Sequence, residues 1–217
     1  MSNSEALNEE PDDTVTNAAT DRSAAKLEKL LAAAAALMAR QGYGQTTIRD
    51  VARETGFSLA GMYYYFKNKE DLLYQIQHRT FSALLAEQEQ RAEADGEPEQ
   101  RLRDLVQNHL SYFVRHFNEL KVCTFELQTL QGGRYREIEG LRRRYFQCLA
   151  RIIGAITGVT GKQAETDPVI RHHTLFVFGM LNWIFMWFDP DRDEPAEKLG
   201  DQMVALILNG LGAGSGS

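Results

Sequence analysis

The segment Tyr63-Tyr64-Tyr65-Phe66 places four aromatic residues in a row, three of which carry a hydroxyl group. A tyrosine hydroxyl can hydrogen-bond a phosphate oxygen or a base edge, and its ring can contact a thymine methyl group. The alternative is an aromatic cluster that packs between helices. We favour nucleic-acid contact for Tyr64 and Tyr65 and packing for Phe66, because only one face of a helix can be buried.

The charge distribution agrees with a local nucleic-acid surface, although the net charge of the chain is −6. Residues 1–22 carry six acidic residues and one arginine, a net charge of −5. Residues 23–79 carry eight lysines and arginines and five carboxylates, a net charge of +3. A basic segment next to acidic ones predicts that any nucleic-acid interface is confined to that segment.

Several classes of protein are disfavoured by the sequence. Two cysteines, Cys123 and Cys148, are too few for a disulfide framework, and the N-terminus lacks the pattern of a secretion signal. The longest largely apolar run, residues 174–188, is shorter than the roughly 18 residues that indicate a membrane span. We therefore expect a cytoplasmic protein without a membrane partner.

Apolar residues recur at helical spacing and no alternating strand pattern is present, which predicts an all-α chain. Residues 1–22 are polar and acidic, so we expect a disordered tail there. A first helix should end at Gly42, and caps should follow at Thr46 or Thr47, at Ser58 and at Asn68. The later helices are predicted near residues 69–93, 98–118, 121–131, 134–158, 163–188 and 195–211.

Two of the short helices have helix-turn-helix spacing. Ala52 places a small residue where the helices cross, Gly56 permits the positive φ of the turn, and Met62 packs the second helix onto the first. The inward positions of that second helix should be Leu59, Met62 and Phe66, with Tyr63 leaning partly inward. The arrangement presents the remaining tyrosines to a DNA groove.

The segment from Thr46 to Leu73 resembles the N-terminal DNA-binding domain of the TetR family of bacterial transcriptional regulators. The motifs that carry the resemblance are Thr47-Ile48-Arg49-Asp50-Val51-Ala52, Gly56-Phe57-Ser58, Met62-Tyr63-Tyr64-Tyr65-Phe66 and Asn68-Lys69-Glu70-Asp71-Leu72. The resemblance implies a three-helix DNA-binding domain at residues 23–70, a helical effector-binding and dimerisation domain at 71–212, and a flexible tail at 213–217. It further implies a homodimer on a palindromic operator, in which an effector releases a repressor.

By the same resemblance, DNA phosphates would be bound by Thr46, Thr47, Tyr64, Tyr65 and Lys69. The bases would be faced by Leu59, Ala60, Gly61 and Tyr63, which follow the capping residue Ser58. Leu59, Ala60 and Gly61 have no side-chain group that forms a hydrogen bond. Many members of the family instead have a polar residue directly after the position of Ser58. Base readout would then depend on methyl contacts, on tyrosine hydroxyls, on Arg49 and on DNA shape.

The helix predicted at residues 163–188 is apolar on almost every side, which indicates burial on more than one face. In proteins of the TetR family the last two long helices form the dimer interface. We therefore expect Trp187 and Leu206 to lie between two subunits. Two recognition helices on a two-fold axis would then fit a near-palindromic operator.

Large apolar side chains in the C-terminal part predict an elongated apolar effector. The candidate effector-binding residues are Phe113, Phe117, Phe125, Arg134, Arg143, Trp183 and Trp187. The segment 182–190 is similar to TetR-family members that control lipid metabolism, several of which respond to acyl-coenzyme A (acyl-CoA). In that case some arginines within residues 134–144 would bind the coenzyme's phosphates; the alternative is a solvated helix face, with pairs such as Glu139 and Arg143.

No triad of catalytic residues, phosphate-binding glycine loop or paired carboxylates is evident, so we expect neither an enzyme nor a cofactor. His109 and His116 share a helical face, but no further ligand has matching spacing, so we expect no metal. A helical carrier or enzyme for apolar molecules, or a structural helical dimer, is the alternative function. Neither of these alternative functions explains the presence of Tyr64, Tyr65 and Lys69.

Overall fold

The computed structural model describes residues 13–92, 96–189 and 191–213, and this part of the chain is helical with no β-strand. The all-α prediction is confirmed. The helices are α1 (Asp13–Gln41), α2 (Ile48–Thr55), α3 (Leu59–Tyr65), α4 (Lys69–Ala92), α5 (Pro98–Arg115), α6 (Phe117–Phe125), α7 (Gly132–Ile156), α8 (Lys162–Thr166), α9 (Pro168–Trp183) and α10 (Ala196–Ala213). A single 3₁₀ turn, Ile184–Met186, follows α9.

Local hydrogen bonds fix the ends of the short helices. Thr47 and Asp50 form a reciprocal capping box at the start of α2: the Thr47 hydroxyl accepts from the Asp50 backbone N–H at 3.2 Å, and the Asp50 carboxylate accepts from the Thr47 N–H at 3.0 Å. The Thr47 hydroxyl also donates to the Asp50 carboxylate at 2.6 Å, and this bond, followed by the one from the Thr47 N–H, lowers the pKa of Asp50. Gly56 ends α2 at φ 72°. Ser58 then caps α3, as predicted.

The N-terminal helices form one core and the later helices form another. In the first, α1, α2 and α3 bury residues such as Leu30, Val51 and Met62. In the second, α5, α7, α9 and α10 pack around residues such as Leu149 and Val204. Long helix α4 contributes to both cores, so the predicted boundary at residue 70 falls inside a continuous helix.

The structure differs from two of the predictions. Helix α1 begins at Asp13, so the predicted disorder of residues 1–22 is wrong for residues 13–22, while residues 1–12 lie outside the described chain. The single helix predicted at residues 163–188 is interrupted at Asp167 and Pro168. The reason is local: Asp167 accepts hydrogen bonds from two backbone N–H groups as an N-cap, and Pro168 starts the next helix.

The first core also contains residues from the C-terminal part of the chain. Val122 of α6, Leu130 of the following loop and Ile138 of α7 pack with the N-terminal helices. Because these side chains pack closely against the N-terminal helices, a displacement of α6 or α7 would also move those helices. Within the described residues, none of the helices is both long and apolar enough to cross a membrane.

Candidate DNA-binding face and effector cavity

The surface of α2 and α3 that faces solvent is rich in hydroxyl groups. We call it the recognition face, and its residues are Thr47, Arg49, Ser58, Ala60, Tyr63 and Tyr64, all of which are exposed. Tyr64 is 82 % exposed and Tyr63 is 54 % exposed. Partly buried Gly61 and Leu59 border them on the same helix. Exposed phenol groups on a short helix can reach phosphates and base edges in a groove.

The inward direction of α3 is set by Met62 and Phe66, which are both fully buried. Packing of Phe66 was predicted and is confirmed. Tyr65 lies near the same side of the helix and packs on the core, with its ring edge-on to that of Tyr64 at 5.1 Å. Tyr63 points about 100° away from Met62 and reaches solvent, so the prediction that it leans inward is wrong.

Thr46 and Lys69 lie at the edge of the recognition face. Thr46 is fully buried and its hydroxyl donates to the Gly42 carbonyl at 2.9 Å, so the predicted phosphate contact by this side chain is wrong. The Lys69 ammonium group donates to the carbonyls of Tyr43 at 2.9 Å and Gly44 at 3.2 Å, and it lies 4.3 Å from the Tyr43 ring centroid. An ammonium group has three donors, so one N–H remains for another acceptor.

A cavity of about 190 Å³, open to solvent, lies within the C-terminal helices. Helices α4, α5, α6, α7 and α9 all contribute to its walls. We call it the central cavity, and its lining residues are Phe81, Leu84, His109, Leu120, Cys123, Thr124, Leu127, Arg142, Tyr145, Phe146, Leu175, Phe178 and Asn182. The walls are mostly apolar with a few polar groups, which is the composition of a small-molecule site.

Two polar groups in the central cavity hydrogen-bond each other. His109 Nδ1 and the Tyr145 hydroxyl are 3.1 Å apart and both side chains are buried. Burial lowers the pKa of His109 to about 4, so its ring is neutral at pH 7. Burial raises the pKa of Tyr145, which keeps the phenol protonated. Together they offer an uncharged polar contact deep in the cavity.

Arg142 is the cation of the central cavity. Its guanidinium carbon lies 5.9 Å from the Phe81 ring centroid, and burial lowers its pKa. Within the described residues, no carboxylate lies at ion-pair distance from Arg142, whereas neighbouring Arg143 pairs with Glu139 at 2.5 Å. A partly buried cation without an acidic partner is costly in the empty protein and is available to a ligand oxygen.

The residues predicted to bind the effector do not line the central cavity. Phe113 is buried in the core beside Phe117, at 5.2 Å between ring centroids. Phe125 is exposed and contacts Phe185. Arg134 forms a 2.6 Å ion pair with Asp71 of the N-terminal part of α4. These positions were chosen because they are large or charged, which does not determine the side of a helix on which they lie.

Arg143, Trp183 and Trp187 also lie elsewhere. Arg143 is exposed and its pair with Glu139 is the solvated i,i+4 pair that was the alternative. The sequence did contain a signal for Arg142: it is four residues after Ile138 and three before Tyr145, both of which are buried on the inner side of α7. An arginine within such an apolar stripe faces the interior.

An apolar groove runs along the outer surface of α9 and α10. Its residues are Leu175, Phe176, Gly179, Met180, Trp183, Trp187, Leu199, Gln202, Met203 and Leu206. Leu206 is 64 % exposed in the single chain. Large exposed apolar surfaces of this kind mark interaction sites. Trp187 and Leu206, which were predicted to lie in a dimer interface, are both in this groove.

The loop after α6 connects the central cavity to the N-terminal unit. Thr124 and Leu127 line the cavity, and Glu126 between them accepts a hydrogen bond from the Tyr43 backbone N–H at 3.3 Å. Gln77 of α4 donates to the Glu126 carbonyl at 2.9 Å. Tyr43 in turn holds Lys69 beside the recognition face. A movement of the cavity wall at Thr124 and Leu127 would therefore displace Glu126. Through Tyr43, it would also displace Lys69 beside the recognition face.

The histidines and cysteines form no metal site in the part of the chain that the structure describes. No group of three or more His, Cys, Asp or Glu side chains there could hold an ion. Cys123 and Cys148 are both free thiols. Burial raises the pKa of Cys123 to about 12, so it stays protonated and unreactive at neutral pH.

Two family models match the chain. Residues 30–76 match the model described as "Bacterial regulatory proteins, tetR family". Residues 95–211, more than half of the chain, match the model described as "Tetracyclin repressor-like, C-terminal domain". The first match covers the recognition face, and the second covers helices α5 to α9, which supply most of the walls of the central cavity.

Curated proteins and solved structures agree with these matches. The repressor KstR2 of Mycobacterium tuberculosis (strain H37Rv) is 24 % identical over 187 residues, covering 84 % of this chain and 91 % of its own. The fatty acid metabolism regulator protein of Bacillus subtilis is 21 % identical over 187 residues, covering 86 % and 95 %. The structure of AibR in complex with isovaleryl coenzyme A and operator DNA is 25 % identical, with a TM-score of 0.71 and coverage of 84 % and 97 %.

Proposed function

Because the chain belongs to the TetR family of bacterial regulatory proteins, we propose that it is a homodimeric repressor that an acyl-CoA releases from a palindromic operator. Members of this family are transcriptional regulators, and we propose no catalytic activity. The observation that carries the proposal is the exposed Tyr63 and Tyr64 on the α3 helix of the family's DNA-binding domain. The central cavity lies in the same chain and supplies a site for the effector.

The DNA-binding step uses the recognition face. Tyr64 donates its hydroxyl group to a backbone phosphate, and Lys69 uses its remaining N–H for the same purpose. Thr47 can donate to a phosphate only by exchanging the 2.6 Å hydrogen bond that its hydroxyl donates to Asp50. Tyr63 and Ala60 approach the bases from the same face, and Arg49 adds a cation beside them. Phosphate contacts fix the register of α3 in the major groove, and the base contacts supply sequence preference.

Dimerisation through the apolar groove places two recognition faces on a two-fold axis. The groove is formed by α9 and α10, which are consecutive long helices, so pairing with a second copy gives a four-helix interface. A two-fold dimer contacts two half-sites in successive major grooves. The operator should accordingly be a near-palindrome.

The effector occupies the central cavity. The cavity volume of about 190 Å³ is smaller than that of a typical small-molecule site, about 300–1,000 Å³, so it suits a short acyl group while the rest of the coenzyme lies at the opening. Its aromatic walls, Phe81, Phe146 and Phe178, suit an acyl group, and Arg142 can donate to an oxygen of the thioester or the coenzyme. AibR was crystallised with both isovaleryl coenzyme A and operator DNA, which supports this pairing of ligands.

Release of DNA follows if the effector binds the DNA-free conformation more tightly than the DNA-bound one. Glu126 is held by Tyr43 and Gln77 while its neighbours Thr124 and Leu127 line the cavity. A ligand that displaces these walls changes the position of Tyr43 and of the Lys69 ammonium group that it holds. The coupling therefore passes through the loop between α6 and α7.

The proposed function is tested by selecting genomic DNA fragments that the purified protein retains. We expect enrichment of a near-palindromic sequence with two half-sites, because the dimer presents two identical faces. Binding of all fragments alike, or of none, would contradict a sequence-specific repressor.

Tyr64→Ala should weaken operator binding by at least about tenfold, because a hydrogen bond to a charged group such as a phosphate contributes about 1.5–3 kcal/mol. The loss should appear on operator and on unrelated DNA, since a phosphate contact is independent of sequence. Fluorescence anisotropy with labelled duplexes measures both. Tyr135→Ala is the matched control, because Tyr135 is an exposed tyrosine on α7. Equal affinities for the two variants would remove Tyr64 from the interface.

A further inference from the structure

The N-terminal part of α1 lies beside the recognition face. Among the described side chains of α1, those from Leu27 onward pack against the first core, whereas residues 22–26 are exposed. The exposed part of α1 nevertheless approaches the end of α3, where the two helices border one open cleft. The residues that line this cleft are Arg22, Ser23, Lys26, Tyr64 and Tyr65.

The cleft has the chemistry of an anion site. Arg22 and Lys26 are four residues apart, so they project from the same side of the helix. A guanidinium group, an ammonium group and the hydroxyls of Ser23 and Tyr64 are all donors that a phosphate accepts. None of the described residues that line the cleft is acidic.

The position of the cleft selects one phosphate source. Tyr64 belongs to both the cleft and the recognition face, and its side chain is 82 % exposed. A DNA strand whose phosphate meets Tyr64 therefore passes the cleft with an adjacent phosphate.

We propose that Arg22 and Lys26 bind a backbone phosphate of the operator, which extends the DNA interface from α3 onto the N-terminal turns of α1. The proposal rests on the proposed DNA-binding function. The contact adds affinity on every sequence and adds salt dependence, because each neutralised phosphate releases counterions. It adds no base preference.

The test is the double variant Arg22→Gln/Lys26→Gln, since glutamine keeps the length and the helix propensity of the side chains. Affinity for a duplex that wild-type protein binds is measured at several salt concentrations by fluorescence anisotropy. Loss of about two phosphate contacts should make the fall in affinity between about 50 and about 200 mM salt roughly tenfold smaller. Helix content and thermal unfolding should match the wild type, because both side chains are exposed.

Lys162→Gln is the matched control, because Lys162 is an exposed cation at the start of α8, outside the recognition face. It should leave the salt dependence as in the wild type. A double variant with wild-type salt dependence, on DNA that the wild type binds, would overturn the α1 phosphate site while leaving the proposed function intact. Wild-type protein that binds no DNA at any salt concentration would overturn both.

Discussion

Leu206→Asp will convert the protein to a monomer and abolish operator binding at concentrations where the wild type is saturated. Leu206 is 64 % exposed in one chain and lies in the apolar groove with Trp183 and Trp187. In a two-fold dimer the new carboxylate would be buried twice, once in each copy, without a cation beside it in the groove. Burial of an unpaired charge costs several kcal/mol, which exceeds what most interfaces can lose.

Sedimentation velocity at micromolar concentration measures the first effect and anisotropy with operator DNA measures the second. Because Leu206 is exposed in the single chain, circular dichroism should still show a helical fold. Val114→Asp provides the control: Val114 is an apolar residue of α5, 49 % exposed, that lies outside the groove. A stable wild-type monomer, or a Leu206→Asp variant that remains dimeric, would show that the groove is not the dimer interface.

Arg142→Met should weaken effector binding by about ten- to a hundredfold without lowering stability. A hydrogen bond to a charged group contributes about 1.5–3 kcal/mol, and Arg142 is the cation of the central cavity. In the ligand-free protein the substitution removes no interaction of similar strength, because within the described residues Arg142 has no carboxylate at ion-pair distance. Methionine fills a similar shape without the cost of burying a charge. The free energy of unfolding should therefore stay equal or increase.

Calorimetric titration with an acyl-CoA gives the affinity, and urea unfolding gives the stability. Arg143→Met is a close control, because Arg143 is adjacent in sequence but exposed and paired with Glu139. It should bind effector as the wild type does. If Arg142→Met binds the effector normally while Arg143→Met does not, the coenzyme lies on the outer surface of α7 and the cavity assignment is wrong.

The DNA-binding half of the fold could be predicted because its signals are local. Thr47 and Asp50 are three residues apart, Gly56 supplies the turn, and Ser58 caps the next helix, so each boundary depends on neighbours in sequence. The error at the start of α2 concerned two adjacent residues in the sequence. Thr46 and Thr47 have the same chemistry, and only the packing of α1 against the loop buries the first of them.

The central cavity could not be predicted in the same way, because it depends on five helices that meet in space. Composition indicated an apolar site, but Phe113 faces the core while Phe178 faces the cavity. Arg134 forms an ion pair with Asp71, more than sixty residues away in sequence, whereas Arg142 lines the cavity because it lies on the buried side of α7. Long-range ion pairs of this kind have no signature in the spacing of nearby residues.

An apolar outer surface was easier to predict than the cavity, since a helix that is apolar on almost every side needs more cover than one subunit supplies. Trp187 and Leu206 both lie in the apolar groove, and their place between two subunits stays a prediction. The break at Asp167 and Pro168 was missed, although an N-cap residue followed by proline is a helix start signal.

The proposed function depends on the release of operator DNA when an acyl-CoA binds this protein. The most direct test is titration of a preformed complex of the protein and its labelled operator with acyl-CoA of increasing chain length, followed by anisotropy, with coenzyme A and the free fatty acids in parallel. We expect at least one acyl thioester to release the operator at concentrations where the free acid and coenzyme A do not, because Arg142 and the aromatic walls of the central cavity each bind a different part of the effector. An operator complex that persists through saturating concentrations of every acyl-CoA would contradict the proposed function.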